Sequence, residues 1–260
     1  MKKLLLAFAV AAFAALPAFA AENPWVGNWK LDMSKSHFTG DTFTYSRAAN
    51  GMMHFSDGSI ESYDFKVDGK PYHSWGNRTA TWTADGDNAW SQVVEADGKT
   101  LATIHRSLSA DGKTLSNTYT GTKPDGTSFN DTATYVRVSG TKGLEGKWRS
   151  TKVSISAPDN FVISEPSPGT MRWELPSEKA SVEGKADGSD LTINGPTLPP
   201  GMTIAFKPEG RHKFSYVQKL NGKVQGYGTQ TLAADGKSYT DVSWSPGKAS
   251  EEQTAFYVKQ

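Results

Sequence analysis

Beyond its opening residues the chain alternates apolar and polar side chains with a period of two. In Ala102-Thr103-Ile104-His105-Arg106-Ser107-Leu108, the apolar Ala102, Ile104 and Leu108 share one face with Arg106. From Phe129 to Arg137, Phe129, Ala133 and Tyr135 fall together, with Asp131 and Arg137 on the same side. Side chains two apart project to the same side of a strand, so each segment buries one face. No useful length of 3.6-residue period follows the amino-terminal segment. The pattern predicts an all-β chain.

Turn signals punctuate these strands. Asp-Gly pairs stand at 57–58, 68–69, 85–86, 97–98, 111–112, 125–126, 187–188 and 235–236, and Asn-Gly pairs at 194–195 and 221–222. Both residues of such a pair tolerate the positive φ that tight hairpins demand. Short strands at this spacing predict a sandwich or an up-and-down barrel.

The chain also repeats itself. Gly27-Asn28-Trp29-Lys30 returns as Gly146-Lys147-Trp148-Arg149, and Ser91 to Lys113 aligns without a gap on Ser215 to Lys237. The closing runs Tyr135-Val136-Arg137 and Tyr257-Val258-Lys259 correspond as well. Two consecutive domains are expected, residues 21–140 and 141–260, divided in the polar stretch Ser139 to Gly143.

The first 20 residues read as a secretory signal. Lys2 and Lys3 precede the apolar run Leu4 to Leu16, and Ala18-Phe19-Ala20 offers the small-x-small cleavage pattern. The run is too short to span a bilayer. A periplasmic or secreted location is therefore expected. The 28 basic and 27 acidic residues are balanced, which gives no electrostatic footprint for nucleic acid. With no cysteine, neither disulfides nor a lipidated cysteine is available, and stability must come from core burial by aromatics, including 8 Trp, 9 Tyr and 12 Phe. No later stretch is apolar enough for a membrane-spanning helix. A transmembrane barrel is disfavoured by outward faces rich in Thr, Ser, Asn and Lys.

Trp25-Val26-Gly27-Asn28-Trp29-Lys30-Leu31 resembles the opening strand of the calycin superfamily, the lipocalins and fatty-acid-binding proteins. The ends Tyr135-Val136-Arg137 and Phe256-Tyr257-Val258-Lys259 resemble that family's closing strands. The resemblance implies two tandem antiparallel up-and-down β-barrels, lipocalin-like, as in repeats found in exported bacterial proteins. It also implies that each Gly-x-Trp tryptophan closes a barrel floor beneath a basic residue of the final strand, Trp29 with Arg137 and Trp148 with Lys259. Met33 to Tyr45 lacks the helical-lid pattern of fatty-acid-binding proteins. Their carboxylate-clamping Arg-x-Tyr is absent too, the first closing strand reading Tyr-x-Arg.

Candidate ligand-binding residues follow from aromatics and from charge out of place. Trp75, Trp82 and Trp90 fall in consecutive hairpins, where they either pack the barrel wall or line an aromatic pocket; Trp173 and Tyr227 are their counterparts in the second half. Arg106 lies on an apolar face, so it either snorkels out at a barrel rim or pairs with an anionic ligand group. Gln230 takes its place in the second half. Gly226 and Gly228 would leave cavity space or mark a bulge.

No catalytic motif and no cofactor site is legible: Gly-x-Ser-x-Gly, His-Glu-x-x-His, a phosphate loop and a cysteine nucleophile are all missing. The five histidines form no ligand-spaced pair, so no metal is expected. The composite expectation is an exported soluble protein holding a small apolar or aromatic ligand in one or both barrels. A protein- or glycan-interaction module, using loops at Ser156 to Pro168 and Pro196 to Gly201, is the first alternative. A barrel-mouth isomerase or hydrolase is the second.

Overall fold

The computed structural model describes residues 23–48 and 51–260; the proposed signal segment lies outside them. Strands make up more than half of the described chain, joined by turns, bends and loops, with single 3-10 turns at Pro176–Glu178 and Ala249–Glu251. Twenty strands form two antiparallel sheets of ten, each curled into a nearly closed barrel.

The first sheet begins with β2 (Thr42–Arg47), β3 (Met53–Ser56), β4 (Ser62–Phe65), β5 (Pro71–His73) and β6 (Arg78–Gly86). It continues through β7 (Ala89–Ala96), β8 (Lys99–Leu108), β9 (Thr114–Thr122), β10 (Ser128–Ser139) and β11 (Gly146–Ser154). Every strand from β5 to β10 pairs with its successor, and β11 returns to pair with β2, which leaves one seam between β4 and β5. The second sheet starts with β12 (Asn160–Ser167), β13 (Thr170–Leu175), β14 (Ala180–Gly184), β15 (Leu191–Thr192) and β16 (Met202–Pro208). Then come β17 (Lys213–Leu220), β18 (Lys223–Leu232), β19 (Ser238–Trp244) and β20 (Gln253–Lys259). Its tenth strand is β1 (Gly27–Leu31), inserted between β20 and β12.

The two barrels thus exchange opening strands relative to the sequence repeat. The Gly146 strand completes the first barrel and the Gly27 strand completes the second, so the sheets do not divide at 140/141. The stretch Ser139 to Gly143 belongs to a hairpin turn within one sheet. The crossings between sheets run through residues 32–41 and 155–159. Chain entropy accounts for this: six residues separate β10 from β11, and closing so short a loop into an antiparallel hairpin costs least. β11 then occupies the slot that β1 would have needed.

The tryptophan pairing is corrected accordingly. The Arg137 guanidinium lies 4.2 Å from the centre of the Trp148 ring, and Lys259 Nζ lies 5.1 Å from that of Trp29. The expected pairs, Trp29 with Arg137 and Trp148 with Lys259, do not form. Both indoles are fully buried, and each donates its N–H to a carbonyl four residues back, Trp29 to Trp25 O at 2.9 Å and Trp148 to Leu144 O at 2.8 Å. Arg137 also donates to the carbonyls of Gly112 and Gly143, at 2.6 Å each, and of Glu145, sealing that end of the first barrel. Glycine opens the motif because a Cβ on Gly146 would collide with the Ser139 carbonyl.

Asp97-Gly98 and Asn221-Gly222 form turns with both residues at positive φ. Asp85-Gly86 instead ends β6, and its hairpin turns at Asp87-Asn88. Asn194 makes a bridge to Ser181 across the seam between β14 and β15.

Candidate ligand cavities at the barrel mouths

The inner face of the first barrel is apolar at its sealed end and polar further up. Trp148, Leu108 and Leu115 are buried near Arg137, with Phe65 stacked on Trp82 at 4.3 Å above them. Over Trp82 sits Arg106, its guanidinium 4.3 Å from the ring centre. Arg106 is 7% exposed, so it does not snorkel to a rim. Its Nη2 donates to Gln92 Oε1 at 2.5 Å, while Nε and Nη1 are buried without a partner. No ion pair to Arg106 forms among the described residues. A buried guanidinium with two unmet donors carries an uncompensated desolvation cost.

Arg106 faces a cavity of about 580 Å³ in the upper half of this barrel. Around it stand Tyr45, Tyr63, Asn117, Tyr119 and Tyr135. Asn117 Nδ2 donates to the Tyr119 hydroxyl at 3.0 Å, and the Tyr119 and Tyr135 hydroxyls lie 3.1 Å apart. Asn117 Oδ1 is buried without a partner. Phe55, Val94, Leu101, Ala102 and Ile104 give the remaining wall its apolar surface.

Nearer the mouth are Glu61 and Arg78. Burial pushes the Glu61 carboxyl above its usual range, Asp57 adds to the shift, and Arg78 and Arg106 oppose it. Burial lowers the affinity of Arg78 for its proton, and its Nη2 donates to Thr197 O at 3.3 Å while Nε has no partner.

The mouth faces the second barrel. Glu178, Thr197, Ser245 and Lys248 from that barrel complete the cavity wall. Lys248 Nζ donates to Thr42 O at 2.6 Å and Asp57 O at 2.7 Å and pairs with Glu251 at 2.7 Å, while Thr42 donates to Glu251 through both backbone and hydroxyl at 2.8 Å. Trp75 donates to Gln225 Oε1 at 2.9 Å across the same junction. The expected recognition loops have other places: Ser156 to Pro168 contains β12, and Pro196 to Gly201 includes the Thr197 that covers the mouth.

The second barrel is more completely filled. Trp173 is buried and stacked on Phe206 at 4.1 Å, and Tyr239 is stacked on Tyr257 at 4.6 Å. A smaller cavity of about 390 Å³ remains at its mouth, bounded by Met202, Tyr216, Gln218, Gly226, Ser243 and Gln253, with Tyr227 and Trp244 beside them. Gly228 leaves no space, because the Tyr216 ring occupies the position of its missing side chain; Gly226 borders the cavity next to a register shift at Gln218/Lys219.

The structure therefore separates the candidate residues. Arg106 and Trp75 border the first cavity, and Trp75 and Tyr227 the second. Trp82 and Trp173 are core stacking partners, and Trp90, opposite Arg106 in the β7/β8 ladder, packs against the core outside the cavity wall. The three tryptophans of the first half do not form one aromatic pocket. Sequence reasoning passed over Gln92, Asn117, Tyr119 and Glu61. Gln92 and Asn117 were detectable as polar residues at inward positions beside apolar ones, Gln92 between Trp90 and Val94 and Asn117 between Leu115 and Tyr119. Glu61 lies in a turn region and carries no such signal.

Among the described residues no His, Asp, Glu cluster could hold a metal ion, and no helix is long and apolar enough to cross a membrane. The fold and cavities define a two-barrel all-β protein with a polar, cation-bearing chamber in its first barrel. Comparison with protein-family models, curated proteins and solved structures finds no match to this chain.

Proposed function

We propose that this chain is an exported binding protein whose first barrel holds a small amphipathic molecule by an anionic group. The amino-terminal Lys-Lys, apolar run and Ala-x-Ala pattern support export. One observation carries the binding reading: Arg106, buried with two donor nitrogens unpartnered, borders a cavity of about 580 Å³. That volume is in the range of small-molecule sites, and its wall mixes polar and apolar side chains in similar measure, as an amphipathic ligand requires. A carboxylate or sulfonate supplies the buried guanidinium with a charge-assisted acceptor. Asn117 Nδ2 and the Tyr119 and Tyr135 hydroxyls stand beside it to orient the bound group.

The test is titration of the full chain with dodecanoate, followed by displacement of the fluorescent probe 1-anilinonaphthalene-8-sulfonate. Saturable binding that weakens at least about tenfold in Arg106→Gln is the expected result. Absence of binding, or equal binding by the variant, overturns the reading. Native mass spectrometry of protein purified gently from its host would then identify the natural ligand as a mass lost on denaturation.

A further inference from the structure

We propose that the two cavities are halves of one site, and that its ligand is bipolar: an apolar chain with an anionic group at Arg106 and a protonated amine at the Asp241 end. The proposal rests on the anion-binding reading of the first barrel and extends it into the second.

The argument begins with corresponding positions. Gln92, Arg106 and Asn117 stand on β7, β8 and β9; Tyr216, Gln230 and Asp241 occupy the matching places on β17, β18 and β19 of the second barrel. The same scaffold therefore carries a buried cation in one barrel and a buried carboxylate in the other. Asp241 Oδ1 accepts from the Tyr216 hydroxyl at 2.9 Å, and Oδ2 accepts from Gln230 Nε2 at 2.8 Å. No cation pairs with it among the described residues. Burial, its main influence, pushes the Asp241 carboxyl above its usual range. Each charge is thus buried without an ion pair among the described residues, a condition that a ligand of opposite charge relieves.

The two cavities also meet. Asp41, Trp75, Ser245 and Lys248 belong to the walls of both. Trp75 and Trp244 give the junction apolar surface suited to a hydrocarbon chain. On the second side, Tyr216 both borders the cavity and touches Asp241, so an amine reaching Tyr216 meets the carboxylate through its hydroxyl. Other acids border the path: Asp57, Glu61 and Glu178 line the first cavity alone, Asp41 lines both, and Glu251 lines the second. Glu251 pairs with Lys248 and accepts from Thr42, and Asp41 accepts from the Ser150 hydroxyl. Glu61 already feels the positive charges of Arg78 and Arg106. Asp241 is the buried carboxylate beside the second cavity that has no cation among the described residues, and it is reached through Tyr216.

Calorimetric titration of the full chain at pH 7.5 with dodecanoate, 12-aminododecanoate and 8-aminooctanoate tests this. We expect one amino acid of the series to bind about tenfold or more tightly than dodecanoate, the scale of one added charge-assisted hydrogen bond. That gain should vanish in Asp241→Asn and shrink in Tyr216→Phe, which keeps the ring packing, and it should persist in Glu61→Gln. If dodecanoate binds through Arg106 but neither amino acid gains, the bipolar proposal falls alone. It falls equally if the gain survives in both Asp241→Asn and Tyr216→Phe, or disappears only in Glu61→Gln. If dodecanoate does not bind, the anion reading falls and takes this one with it.

Discussion

Trp29, in the chain's first described strand, lies under Lys259, the residue before its last, with Nζ 5.1 Å from the ring centre. Lys259 also donates to Pro24 O at 3.1 Å, and the Gln260 amide donates to Asn28 O at 2.9 Å. The first described strand and the last are therefore stitched together in the second barrel, whereas the first barrel is built from the segment 42–154.

This asymmetry separates two otherwise matching substitutions. Trp29→Ala and Trp148→Ala each empty a fully buried site at an estimated cost of about 3–5 kcal/mol. The first should lower hydrogen-exchange protection in β12 and β20, and the second in β2 and β10. Identical protection maps for the two variants would contradict the strand exchange.

A circular permutant provides a second check. Opening the chain between β1 and β2 and joining Gln260 to Asn23 through a short glycine-containing linker would make β20 and β1 a hairpin, as β10 and β11 already are. Such a permutant should keep its near-ultraviolet circular dichroism and melt within a few degrees of the parent. A permutant that fails to fold would show that β1 does not hold its place between β20 and β12.

Arg106 stands where stability and binding conflict. Replacing a buried, poorly paired guanidinium with an apolar chain of similar length is commonly neutral or stabilising, by about 1–4 kcal/mol. Arg106→Met should therefore raise or preserve resistance to urea while abolishing dodecanoate binding. A large loss of stability would mean that the guanidinium's contacts with Gln92 and Trp82 outweigh its desolvation.

The Glu61 and Asp241 carboxyls both hold their protons more tightly in the folded chain than their usual range, mainly because they are buried. For an acid raised in this way the folded state binds more protons than the unfolded one. Stability is then fully present below the ordinary carboxylate pKa and declines as pH rises through the folded value. Asp241→Asn and Glu61→Gln should each be more stable than the parent at neutral pH and equal to it near about pH 3, below the ordinary values of both groups. Denaturation curves collected across that window would show the difference closing as pH falls; a difference independent of pH would contradict the burial effect.

Binding of the sulfonate probe should respond to pH for a related reason. Its own charge is constant, so its affinity should rise as Glu61 becomes protonated and the first cavity loses a negative charge. Glu61→Gln should flatten that profile. A profile unchanged in the variant would place the probe elsewhere.

Much of this protein is local and was readable along the chain. Period-two alternation set which residues point inward, and it placed Arg106 on the apolar face with Ile104 and Leu108. Turn chemistry located most hairpins, and the matching segments disclosed two similar halves. Partner choice was decided only in three dimensions. A strand's pattern specifies its buried face but not which neighbour's backbone it pairs with, so the short turn before β11 sent that strand into the first barrel and left β1 to the second. Whether Arg106 reached solvent depended on the height of the surrounding wall, and the meeting of the two mouths at Trp75 and Lys248 depended on how the barrels pack. Both are relations between residues far apart in the chain, and no local spacing encodes them.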